Sequence, residues 1–130
     1  MRLLLISNST NAGEPYLQYP MPQIGDFLKG ITEIVFVPYA AVTFSYAEYE
    51  AKVQKRFDEL GIRVRSVHRS KNPAKLIREA QAICVGGGAF GVEIAIGIAA
   101  HQPQRIHQLH GILGGGVDLI AIGVNFCGVQ

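Results

Sequence analysis

A chain of 130 residues has room for one layered core, and 48 % hydrophobic with 17 % charged side chains excludes a disordered or low-complexity protein. The formal charge is +2, with Lys and Arg scattered among Asp and Glu and not interleaved with aromatics, which argues against a nucleic-acid partner. Cys84 and Cys127 form neither a metal motif nor a disulfide framework, and the apolar start is too short for a signal peptide or a membrane span; the expectation is a cytoplasmic protein without membrane contact, metal or cofactor.

The elements follow in chain order. Leu3-Leu4-Leu5-Ile6 is a continuous apolar run closed by the polar cluster Ser7-Asn8-Ser9-Thr10, which reads as a parallel strand buried on both faces. Glu14 to Leu28 carries a helical pattern interrupted by Pro20, Pro22 and Gly25. Ile34-Val35-Phe36-Val37 is a second strand, expected to stop at Pro38. From Ser45 to Leu60 the apolar residues Tyr49, Val53, Phe57 and Leu60 recur at helical spacing. Ser45 with Glu48 spells a capping box, Glu48 and Lys52 stand as an i,i+4 pair, and Gly61 suits the C′ position. Ile62 to Val67 alternates with Arg63 and Arg65, as a half-exposed strand near a sheet edge would. Asn72 and Pro73 open a short helix to Ala80, and Ala82-Ile83-Cys84-Val85 is a fourth strand ending in Gly86-Gly87-Gly88. Strand–helix alternation with short connections predicts an α/β domain around a parallel sheet.

After Phe90 the composition changes. Glu93, Arg105 and Asp118 are the only formally charged side chains from Gly91 onward, and His101, His107 and His110 fall among glutamines. Val92 to Ala100 suits a buried helix and Val117 to Val124 a strand, with Gly114-Gly115-Gly116 between them.

Ligands of open α/β sheets lie beyond the carboxyl ends of the strands, so the residues after each strand carry the functional information. In sequence these are Ser7-Asn8-Ser9-Thr10, then Pro38-Tyr39-Ala40-Ala41-Val42-Thr43 leading to Tyr46-Ala47-Glu48-Tyr49, then His68-Arg69, then Gly86-Gly87-Gly88. This series resembles, in order and spacing, the peptidase E family of aspartyl dipeptidases over roughly Met1 to Gly88. The resemblance implies a flavodoxin-like three-layer sandwich of the class I glutamine amidotransferase type. It implies hydrolysis of Asp-X dipeptides through a serine acyl-enzyme, the serine lying in a G-x-S-x-G elbow after the next strand. It also implies that Gly86, Gly87 and Gly88 help form an oxyanion hole, where backbone N–H groups approach a developing negative charge. A dipeptide is the implied partner, and Arg69 is a candidate for holding its carboxylate.

Beyond Gly88 the family pattern stops. Gly88-Ala89-Phe90-Gly91 lacks the expected Asn-Thr pair, the elbow region Leu119 to Cys127 contains no serine, and none occurs after Ser70. A histidine and acid completing a triad are not recognisable either, so no catalytic residue is assigned and the chain is expected to be inactive. Residues 1–88 are family-like and 89–130 divergent and incomplete within a single expected domain of 1–130. That is what a reading-frame slip after the triple glycine would leave. An incomplete sheet would expose an apolar edge and favour self-association.

Other patterns point elsewhere with less support. Gly86, Gly88 and Gly91 spell G-x-G-x-x-G after a strand, but no acidic residue stands about 20 positions on; a non-catalytic small-molecule or dinucleotide-binding protein is the alternative function. His107 and His110 can share a helix face, yet no third ligand is specified. Cys127 lies near the elbow position without a glycine two residues before it. Ser7, Ser9, Thr10, Thr43, Tyr46 and Glu48 are equally suited to turns and helix caps.

Overall fold

A computed structural model describes residues 2–40, 44–87 and 118–122. Five strands form one parallel sheet: β1 (Leu3–Ile6), β2 (Glu33–Ala40), β3 (Arg63–Ser66), β4 (Ala82–Gly87) and β5 (Asp118–Ile122). Their spatial order is β1-β5-β4-β2-β3. Three helices are described, α1 (Met21–Phe27), α2 (Tyr46–Asp58) and α3 (Pro73–Arg78), with a 3-10 turn over Val67–Arg69.

The apolar alternation of the strands sorts the core onto two faces. On one face Ile6, Ile34, Phe36, Ile62, Val64, Ala82, Cys84, Ile120 and Ile122 pack against Ile24 of α1 and against Tyr49, Val53 and Phe57 of α2. On the other face Val35 and Ile83 pack with Val67 and with Leu76 of α3. This is the three-layer, flavodoxin-like α/β arrangement that strand–helix alternation and the family resemblance predict.

Element boundaries differ from the sequence expectation where local chemistry overrides hydrophobic pattern. The helix expected between Glu14 and Leu28 is confined to Met21–Phe27, with Pro20 at its N-cap and turns before it. Those turns include Leu17, which holds a left-handed backbone (φ 55) while fully buried. The second strand does not stop at Pro38 but continues to Ala40. The ladder to β4 shifts register between Val37 and Ala40, because proline supplies no N–H to it. The expected third strand ends at Ser66, and the 3-10 turn carries Val67 to Arg69 onward.

Other expectations hold in detail. Ser45 caps α2 with the full reciprocal box. The helix ends in a Schellman stop: Ile62 N–H donates to Phe57 C=O, Gly61 N–H to Asp58 C=O, and Gly61 takes φ +68. Two do not: β1, expected to be buried on both faces, ends the sheet with Leu3 and Leu5 exposed, and the i,i+4 pair does not form. Glu48 is turned back to Ser45, and the Lys52 ammonium lies over the Tyr16 ring at 4.5 Å. Arg63 and Arg65 are exposed on β3, the strand that ends the sheet next to β2, and both pair with Glu33.

Candidate functional site

The chain steps from β2 outward to β3, then returns past β2 to β4 and runs on to β5. Connections therefore diverge between β2 and β4. Such a switch point opens a crevice at the carboxyl ends of the two strands, where α/β proteins bind ligands. Gly86 and Gly87 end β4 there, with Gly87 in register with Ala40 of β2 and Gly86 with Ile122 of β5. Gly88 lies outside the described residues.

Gly86 is a glycine for a reason the sequence did not disclose. A Cβ at this position would lie 2.4 Å from the Tyr49 hydroxyl oxygen and 2.7 Å from Phe36 Cε2. Tyr49, buried on α2, meets Phe36 edge-on at a centroid distance of 4.9 Å and Phe44 at 5.0 Å. Tyr49 thus fills the space beneath the end of β4, and Gly86 lets it do so. Beside it burial, reinforced by the neighbouring Tyr49 and Cys84, raises the Tyr16 phenol well above its ordinary range. Burial likewise pushes the Cys84 thiol up to about 12, which leaves it a packing residue and not a nucleophile.

The loop after β1 is built from its own side chains. Asn8 Nδ2 donates to Thr10 C=O and to Asn11 Oδ1, while Tyr19 places its hydroxyl 2.7 Å from Asn8 O and from Oδ1. Ser9 is buried, its Oγ 3.4 Å from Thr10 Oγ1, and Leu17 N–H donates to its carbonyl. Asn8 and Ser9 therefore serve the turn, and Ser7 is the exposed member of the cluster. Glu48 is likewise a cap. It accepts from the Ser45 backbone N–H (2.8 Å) and hydroxyl (2.9 Å), and the first of these contributes most to holding its carboxyl below the usual range.

At the carboxyl end of β3 the chain assembles a group that sequence reading saw only in part. His68 Nδ1 shares a 2.5 Å hydrogen bond with Ser66 Oγ, and its Nε2 stands 3.8 Å from Glu50 of α2. Arg69 donates from Nε to the same Glu50 carboxylate. Ser66 is only 3 % exposed, so it anchors the imidazole and does not face a substrate. Arg69, a candidate for holding a carboxylate, is thus already engaged. The signal for Glu50 was absent because its partners lie 18 and 19 residues away, on a different element. Tyr46 lies against His68 at a centroid distance of 5.8 Å and against Tyr39 at 5.5 Å.

Thr43, His101, His107, His110, Cys127 and Gly91 lie outside the described residues. Among the described ones no three His, Cys, Asp or Glu side chains gather as a metal site. No described helix is long and apolar enough to cross a membrane.

A parallel sheet with helices on both faces and a glycine-ended strand at its switch point defines a doubly wound α/β protein. The sequence profile of peptidase family S51 matches residues 3–90, and the chain belongs to that family. It is 46 % identical over 88 residues to a peptidase E of Nostoc sp., and 45 % over 89 residues to one of Pasteurella multocida. A peptidase E of Salmonella heidelberg is 42 % identical over 88 residues. These matches cover 66–68 % of this chain but only 36–38 % of the relatives' length. Among solved structures, a candidate peptidase E protein from Listeria monocytogenes superposes with a TM-score of 0.55 over 92 % of this chain and 57 % of the other. At 17 % identity that likeness concerns the fold.

Proposed function

We propose that the chain presents the dipeptide-binding crevice of a peptidase E-type fold and binds Asp-X dipeptides without hydrolysing them. The observation that carries this reading is the placement of Gly86 and Gly87 at the switch point of a family S51 sheet. Gly87, in register with Ala40 at the end of β4, stands where the family resemblance implies that backbone N–H groups contribute to an oxyanion hole. The expected strand after β4 is present as β5, but the residues following it, Gly123-Val124-Asn125-Phe126-Cys127, supply no serine. Acyl transfer needs an activated nucleophile at that place, and without one a bound dipeptide stays intact. The same reading puts self-association on β1, where Leu3 and Leu5 are each 49 % exposed.

Incubation with Asp-Leu tests the proposal, with free aspartate followed by amino-acid analysis and binding by titration calorimetry. Binding without aspartate release is expected. Turnover abolished by a serine-directed reagent overturns the inactive reading, and no binding at millimolar dipeptide overturns the function.

A further inference from the structure

Four large apolar side chains among the described residues are exposed: Leu3 and Leu5 on β1, and Tyr39 and Tyr46 at the carboxyl edge. The two tyrosines differ from the leucines in being organised. Tyr39 precedes Ala40, the residue in register with Gly87, so it stands beside the glycine end of β4 on its β2 side. Its ring meets Tyr46 nearly edge-on, with an interplanar angle of 76°, and Tyr46 in turn leans on His68. His68 is held from behind by Ser66 and Glu50, and Glu50 is closed off by Arg69. Three rings thus form a continuous wall whose far end is fixed by a buried hydroxyl and an ion pair. Tyr46 is fixed as well, because it is the first residue of a helix capped by the Ser45–Glu48 box.

Exposed aromatic surface is retained at a cost in solvation, and ordered rings beside a ligand crevice are suited to stacking on an apolar or aromatic group. The charges behind the wall decide which part of a dipeptide belongs there. Glu50 repels a carboxylate, and the arginines that share its cavity are engaged, Arg69 on Glu50 and Arg63 and Arg65 on Glu33. The aspartyl side chain is therefore disfavoured at this end, and the side chain of the second residue is favoured.

We propose that Tyr39, Tyr46 and His68 form a specificity wall for the second side chain of an Asp-X dipeptide, selecting large apolar or aromatic X. This rests on the dipeptide-binding reading above. Titration calorimetry of the full chain with Asp-Phe and with Asp-Gly tests it. Wild type is expected to favour Asp-Phe by roughly tenfold, the scale of one good aromatic contact. Tyr46→Ala should reduce that preference to within about twofold, and Tyr46→Phe should retain it, since the ring and not the hydroxyl makes the wall. Where Tyr46→Ala does not fold, Tyr39→Ala gives the same readout from a residue that is 53 % exposed. Equal affinities for the two dipeptides in wild type, or an undiminished preference in a folded Tyr46→Ala protein, overturn the wall and leave dipeptide binding standing. Failure of both dipeptides to bind overturns the two together.

Discussion

Two residues at the carboxyl edge hold constraints that their sequence motifs describe incompletely. Gly86 looks like one of three equivalent oxyanion glycines, yet Tyr49 and Phe36 occupy the volume its side chain would need. Gly86→Ala forces those buried rings to move, and overpacking of this kind costs about 1–3 kcal/mol. Urea denaturation should show that loss, and it should shrink in a Tyr49→Phe background because the 2.4 Å clash is with the Tyr49 hydroxyl oxygen. An equal loss in both backgrounds would mean that the hydroxyl is not the obstacle. Glu48 gives a pH signature. Its folded-state pKa lies below the unfolded value because Ser45 donates to the carboxylate from its backbone N–H and then its hydroxyl. A depressed carboxylate stabilises the fold above the unfolded pKa of about 4.3 and loses that contribution as pH falls through the folded pKa. Thermal melts between neutral and acid pH should therefore fall less steeply for Ser45→Ala than for wild type. The variant should also be less stable at neutral pH by about 1 kcal/mol, the usual worth of a cap.

Among the elements, β3 is the strand most in need of help, because it ends the sheet and carries two exposed arginines. Gln54 of α2 supplies that help. Its Oε1 accepts from Val64 N–H at 2.8 Å and its Nε2 donates to Ile62 C=O at 3.1 Å, so the helix side chain completes bonds the strand would otherwise leave to water. Gln54→Met keeps the volume and removes both bonds, and should cost about 1–3 kcal/mol, the range for stranding partly buried backbone groups. Hydrogen exchange at the Val64 amide is the direct check: it should accelerate in the variant while amides of β2 and β4 at the sheet centre keep their protection. The elements also mark what sequence could convey. Both caps, the glycine stop of α2 and the arginine alternation of β3 were readable because each is a local signature within a few residues. The extension of β2 through Pro38 was not, since a register shift in the ladder absorbs the missing N–H. The short α1 was not either, because the turns before it are organised by Asn8, Tyr19 and the Leu17–Ser9 bond, which join residues eight to eleven apart.

At the scale of the whole molecule, family membership was legible through the order of strand ends, and the placement of that series at one edge of the sheet follows from parallel topology alone. The individual site was less legible. The His68–Glu50–Arg69 group and the support of Gly86 by Tyr49 are contacts between α2 and the ends of β3 and β4, and only the assembled fold brings them together. One edge thus holds the glycine end of β4, the rings of Tyr39, Tyr46 and His68, and the Ser45 cap of α2. The chain spans 36–38 % of the length of the curated relatives it matches. The central claim is that a dipeptide enters at the carboxyl ends of β2 and β4. Amide chemical shifts of the full chain during titration with Asp-Leu test this most directly. The account predicts the largest changes at Ser7 to Thr10, Tyr39, Ala40, Gly86 and Gly87; changes confined to the α3 face, or none at millimolar dipeptide, would contradict it.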